Sequence, residues 1–306
     1  MLRHAVRSTI ATLFRRLPPF RGKATLGTPV IDWLSRYTNP DECIVHVPMR
    51  DGTTMRIDLR SRTERWTYVT GDYEADMVQR LADSLEAPNC TVLDVGANVG
   101  FYTVPLARKA QQLGGVLHAF EPVESNFQSL EHNVRINSLE ATTHLHRLAL
   151  GAETGTIELL LETENNATTG NAVAQTGTLE ADGQSQSSTA PLTTLDRVAE
   201  DAGLTGCHLI KVDIEGGEYE FLKGGASFIQ EHTPILFGEF NPFWLRQNGH
   251  RFTEVAELVL PWGYRLFGPD ETGDFAEVDK ITDDLQDVLL LPRDLPPSKV
   301  RALTSS

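Results

Sequence analysis

The chain is 306 residues long, 40% hydrophobic and 23% charged, with a formal net charge of −15. That composition is a soluble globular protein's, and the length suffices for one large domain or two small ones. The negative balance argues against a general nucleic-acid binder, which needs a basic face to neutralise phosphates. Three widely spaced cysteines, Cys43, Cys90 and Cys207, argue against a disulfide framework or zinc cluster and for a reducing, cytoplasmic setting.

Charge is distributed unevenly. Residues 1–31 hold six basic residues and no acid, and residues 1–40 read as a basic N-terminal segment, poorly ordered. Residues 1–23 offer a weak peripheral contact to an anionic membrane, through a short amphipathic stretch too interrupted for a signal or a span. Residues 41–90 read as a hairpin and a helix packed on the core. The pattern over 42–60 alternates on both sides of the turn Arg50-Asp51-Gly52-Thr53, and Met77, Leu81 and Leu85 then recur at helical spacing.

The main domain reads as 91–294. Strands are predicted near 91–95, 115–120, 143–148, 207–213 and 233–240, and helices near 100–112, 123–137, 193–203 and 217–230. This alternation predicts an α/β fold, a mostly parallel sheet with helices on both faces. After a short strand at 156–161, residues 162–190 are rich in Thr, Ser, Gly, Asn and Gln. They read as a polar insertion, either a functional lid or a mobile loop. Residues 295–306 read as a loose tail.

Three places carry chemistry. The first is TVLDVGANVGFYT, residues 91–103, where a β-branched run ends at Asp94 and turns through Gly96 to Gly100; HAFEPV, residues 118–123, follows with Glu121. A glycine turn at a strand's carboxyl end, followed by an acid after the next strand, is the layout of a nucleoside-binding βαβ unit. The glycines are spaced D-x-G-x-x-x-G, and Asn98 stands where a pyrophosphate cradle needs its central glycine. With Asp94 beside it, the turn suits a phosphate-free, cationic nucleoside, S-adenosylmethionine. The second is HLIKVDIEGGEYEFLKG, residues 208–224, whose apolar run ends at Asp213 before Glu215. Glu218 reads as a helix N-terminal acid, stabilised by about 0.3–1 kcal/mol. The third is PILFGEFNPFWL, residues 234–245, where Glu239 ends a strand beside aromatic residues that suit a sugar. His118 and His208 read as structural.

With its blocks VLDVGANVGFYT, HAFEPVESNFQSLEHNVRIN, PLTTLDRV and IKVDIEGGEYEFLKG in order, the chain resembles the FkbM family of S-adenosylmethionine-dependent methyltransferases. The resemblance implies a class I, Rossmann-like fold with a seven-stranded sheet and a reversed last strand. It also implies O-methylation of a hydroxyl on a sugar, glycan or other small metabolite. The cofactor-binding residues it implies are Asp94, Gly96, Ala97, Asn98, Gly100, Glu121, Pro122, Ala149 and Asp213. Of these, Asp94, Gly96 and Gly100 would contact the methionine part and Glu121 the ribose. Where class I enzymes often carry an adenine-binding acid, this chain has Arg147-Leu148-Ala149-Leu150, so backbone groups are left to bind adenine. Asp213, Glu215 and Glu239 are the candidates for a general base, favoured over a divalent metal held by the same carboxylates. Two other functions stay open: a nicotinamide-dependent oxidoreductase, and a non-catalytic S-adenosylmethionine-binding module.

Overall fold

Each strand of the core forms where aliphatic and β-branched residues run together, and each is closed by a small or charged residue at its carboxyl end. The structure, a computed structural model, describes residues 2–16, 31, 40–164, 167–174 and 186–305. The chain begins with helix α1 (Leu2–Arg16), hairpin β1 (Ile44–Pro48) and β2 (Thr54–Asp58), and helices α2 (Arg62–Thr70) and α3 (Ala75–Ser84). Ser61 caps α2 by accepting from the Glu64 N–H, and Gly71, at φ +76°, ends it. Helix α1 is docked rather than loose. Ala11 is fully buried, Arg7 donates to the Glu42 carbonyl at 2.8 Å, and Arg15 donates to the Tyr68 carbonyl at 2.9 Å. The expectation of a poorly ordered terminus is thus corrected over residues 2–16, where two of the six cations point inward. The remainder of the basic segment, 17–30 and 32–39, lies outside the described residues.

The core follows as β3 (Thr91–Val95), α4 (Thr103–Gln112), β4 (Val116–Phe120), α5 (Glu124–Ile136), β5 (Thr143–His146) and β6 (Ala149–Leu150). The inserted strands are β7 (Gly155–Glu164), β8 (Ala167–Ala174) and β9 (Gln186–Thr193). Next come α6 (Leu195–Ala202), β10 (Leu209–Val212), α7 (Glu218–Gly224), α8 (Ala226–His232), β11 (Ile235–Glu239), α9 (Pro242–Gln247) and α10 (Phe252–Val259). Strands β12 (Tyr264–Pro269), β13 (Phe275–Glu277) and β14 (Asp287–Pro292) and helix α11 (Pro297–Thr304) complete it.

The main sheet runs β13-β12-β14-β11-β10-β3-β4-β5. Strands β11, β10, β3, β4 and β5 are mutually parallel, and β14 inserts antiparallel between β11 and β12. This is the class I methyltransferase sheet of seven strands with a reversed last strand, extended by β13 at one edge. Side chains alternate across it. Val92, Leu209, Ile235 and Leu289 face α3, α4, α5 and α11, whereas Leu93, Ile210, Leu236 and Leu290 face α6, α7, α8 and α10. Burial on both faces is why these strands read as continuous apolar runs.

Two expectations change. The stretch 162–190 is neither a bare lid nor a structureless loop in its described part, because β7, β8 and β9 form a second sheet with β6, ordered β6-β9-β7-β8. Its threonines fit a pleated surface well; residues 165–166 and 175–185 lie outside the described residues. The end of the chain is helical and packed: Leu303 is fully buried, and Arg80 donates to its carbonyl at 3.3 Å. Replacing Leu303 with Ala should therefore cost about 2–5 kcal/mol in urea unfolding; a loss below about 0.5 kcal/mol would return 297–304 to the status of a loose tail.

Candidate active site

The site starts from an unusual residue in a buried strand. Lys211 lies within β10, paired in parallel register with Asp94 of β3, and both point to the same face. Its ammonium donates to the Gly96 carbonyl at 2.9 Å and stands 3.6 Å from Asp94 Oδ1 and 3.7 Å from Asp213 Oδ2. The Tyr102 ring lies 5.3 Å from the same nitrogen. Burial alone would neutralise this lysine, but Asp94, Asp213, Glu74 and Glu239 outweigh it and leave its pKa raised. Asp94 is fully buried; Thr103 Oγ1 donates to its Oδ2 at 2.5 Å, while Oδ1 has no hydrogen bond. Burial pushes Asp94 up, and Lys211 opposes it.

The glycine turn is built by close approach of strand ends. A Cβ on Gly96, whose φ is +77°, would fall 1.8 Å from the Asp213 carbonyl oxygen. Only glycine lets β3 and β10 meet there. Gly100 makes room for Leu130 of α5 in the same way, at 2.8 Å. The turn is held from three sides. Gly96 and Ala97 both donate to the Phe120 carbonyl, Asn98 N–H donates to Glu121 Oε2 at 2.8 Å, and buried Asn133 donates to the Val99 carbonyl at 2.9 Å. Glu121 Oε1 accepts from Val123 N–H at 2.9 Å. Burial pushes Glu121 up to about 7, against those backbone donors. A carboxylate has lone pairs for about four donors, which leaves capacity for further hydroxyls.

A second run of acids follows the sheet edge away from Lys211. Glu239 at the end of β11 faces Asp287 at the start of β14, and Gln286 donates to Glu239 Oε1 at 2.8 Å. Burial and then repulsion from Asp213 push Glu239 up to about 7. Glu74 comes from outside the main domain, from a left-handed residue (φ +44°) before α3, and accepts from the Tyr102 hydroxyl at 2.5 Å. Burial raises its pKa. Glu218 is more than a helix-end acid. Fully buried, it accepts the Ile214 and Gly216 N–H groups and so shapes the turn that presents Asp213 and Glu215.

A cleft of about 720 Å³, mouth included, opens at the carboxyl edge of β3, β4 and β10. Of the residues singled out in the sequence, Gly96, Asn98, Glu121, Pro122, Ala149, Asp213 and Glu215 line it. Asp94, Ala97 and Gly100 stand behind it, buried under Thr103, the core and Leu130, and so support the turn from within. Glu239 lies one strand beyond. Sequence reasoning passed over Lys211, although a lysine inside the apolar run LIKV was a visible signal. It also passed over Glu74, Asn133, Ile157 and Leu159, whose roles depend on tertiary approach. Among the described residues no three His, Cys, Asp or Glu side chains are placed to share a metal ion, and no helix is long and apolar enough to cross a membrane.

The strand order is that of the class I methyltransferase fold, and residues 94–266 match the methyltransferase FkbM domain. The chain belongs to the FkbM methyltransferase family, which implies S-adenosylmethionine as its methyl donor. It is similar to methyltransferase sdnD of Sordaria araneosa, at 28% identity over 44% of this chain and 60% of that protein. It is also similar to methyltransferase 1 of Beauveria bassiana, at 24% identity over 44% of this chain and 57% of that one. The matched part thus spans less than two thirds of either relative. Among solved structures, methyltransferase FkbM from Methylobacillus flagellatus aligns over 94% of this chain and 59% of that chain, with 16% identity and a TM-score of 0.45.

The residues present fit the donor. The cleft offers Glu121 for hydroxyls, Asp213 and Glu215 for positive charge, and apolar Leu148, Leu150, Ile157 and Leu159 for a base. Among the described residues none that lines the cleft is a lysine or arginine, and the nearby Lys211 ammonium is turned inward, so no side-chain cation there favours a phosphate.

Because Lys211 neutralises a buried acid, Lys211→Met should lower stability by about 3–5 kcal/mol. Adding Asp94→Asn should recover much of that loss in a double-mutant cycle. Additive effects in urea unfolding would show that the pair is not coupled.

Proposed function

We propose that this protein moves the methyl group of S-adenosylmethionine to a hydroxyl of a sugar, glycan or other small-molecule acceptor. The observation that carries this reading is the arrangement of one cleft, with a ribose-type acid, Glu121, on one side and Asp213 and Glu215 on the other. When bound, the cofactor supplies a methyl carbon activated by its sulfonium. The chain's own work is alignment and proton removal.

Asp213 borders the cleft and repels Glu239, Glu74 and Asp287. Glu74 and Asp287, with Phe237 and Phe275, line a second cavity of about 1150 Å³, open mouth included. Carboxylates that accept hydroxyl hydrogens, beside aromatic faces, suit a polyol acceptor there. Glu239 is the general base in this reading. With a pKa of about 7 it is ionised in part at neutral pH yet basic enough to take a proton. Asp213 and Glu215 orient the acceptor and the charged donor. Lys211 already supplies positive charge between Asp94 and Asp213, which supports proton transfer to a carboxylate over a metal-lowered hydroxyl pKa. The buried free cysteines fit a reducing compartment, and we place the reaction in the cytoplasm.

Incubation with radiolabelled S-adenosylmethionine and fractionated cell extract should label a glycan or small-molecule fraction. Label only in RNA, or in none, would overturn the acceptor class. Calorimetry should detect S-adenosylhomocysteine and not NAD.

Two substitutions test the roles. Asp213→Asn should abolish turnover in a protein that still folds. Glu239→Gln should lower kcat about 10²–10⁴-fold while leaving S-adenosylhomocysteine affinity almost unchanged. The base must be ionised, so the wild-type rate should rise with pH through about 7, and that rise should vanish in Glu239→Gln. The same pH profile in both proteins would remove Glu239 from the role.

A further inference from the structure

Residues 147–150 lack the acid that commonly fixes adenine, so the donor's base needs another means of confinement in this chain. The cleft contains one. Ile157 and Leu159 alternate on β7, and both line the cleft together with Phe120, Leu148, Ala149 and Leu150. These six are all apolar, and they come from β4, β6, β7 and the β5–β6 connection.

The wall is anchored. Leu159 is only 4% exposed and packs with Val123 and Ala190, and Ile157 packs against that cluster. Strand β7 is held along its length by β9, from Gly155 opposite Leu192 to Leu161 opposite Gln186. Thr156 and Glu158, on the opposite face of β7, are exposed. Their period-2 alternation leaves an apolar surface turned toward the cleft and a polar one toward solvent.

We propose that the inserted sheet forms part of the cofactor site, with Ile157 and Leu159 of β7 as the wall against which the purine of the methyl donor packs. The inference rests on the reading of the cleft as a methyl-donor site and extends it to an element outside the parallel core. The base is held by flat apolar contact, while Glu121, next to Phe120 at the end of β4, takes the ribose.

Calorimetric titration with S-adenosylhomocysteine, and separately with methylthioadenosine, tests this on the full chain. Ile157→Asp should weaken both ligands about tenfold or more, and the milder Ile157→Ala about threefold, because apolar contact with the base is lost. Thr156→Asp, on the outer face of the same strand, should bind both within about twofold of wild type. Wild-type affinity in both Ile157 variants would overturn the wall and leave the donor site standing. A loss for S-adenosylhomocysteine with none for methylthioadenosine would also overturn it, since Ile157 would then act on the amino-acid end. No binding to the wild-type protein would overturn the donor reading itself, and the wall with it.

Discussion

A single buried ammonium, that of Lys211, makes the rest of the site affordable to the fold. It sits between the first two central strands, clamps the Gly96 carbonyl at 2.9 Å and faces Asp94 and Asp213 at 3.6 and 3.7 Å. Without it, Asp94 would be an uncompensated charge at zero exposure, a state that proteins avoid by neutralising the group. With it, the ends of β3 and β10 can approach until no Cβ fits on Gly96 beside the Asp213 carbonyl. That approach sets the position of the glycine turn and therefore of the cleft. Charge and packing act here as one constraint.

Outward from that junction the acids become progressively less compensated. Asp94 has a lysine and a hydroxyl, whereas Glu121 has two backbone N–H groups and an edge of the cleft. Glu239 accepts from the Gln286 amide, and burial followed by repulsion from Asp213 raises its pKa to about 7. In the proposed reading these surroundings go with three roles for the carboxylates: a structural counter-ion, a ribose ligand and a proton acceptor. Glu74 enters this series from a segment ahead of residues 94–266, held by the Tyr102 hydroxyl. The segment between α2 and α3 thus adds a carboxylate beside the candidate site.

Much of this was legible in the sequence. The parallel strands were visible because burial on both faces demands unbroken aliphatic runs, and the helices between them because their apolar spacing is helical. Gly96, Gly100 and Glu121 were legible from the offsets of a βαβ turn, Asn98 as the departure from its pyrophosphate form, and Asp213 as the end of an apolar run. Other features were not. Residues beyond 245 carry β12, β13 and β14, which join the sheet through the non-local pairing of β14 with β11 and leave a weak local signature. The inserted strands are rich in Thr and Ser, which mark loops as readily as strands when no partner is known. Gly225 splits the predicted helix 217–230 through contacts with Leu195 that only the fold supplies. The roles of Asp94 and Gly100 shifted from touching a ligand to supporting the turn, a distinction that spacing does not encode.

The proposed donor site lies across the carboxyl edge of β3, β4 and β10. A crystal structure of the protein with S-adenosylhomocysteine is the direct test. Ribose hydroxyls on Glu121, the sulfur beside Asp213 and Glu215, and the Lys211 ammonium still on the Gly96 carbonyl are expected. A nucleoside bound elsewhere, with Glu121 holding no ligand hydroxyl beside the Asn98 and Val123 N–H groups and the Asn126 amide, would contradict this placement.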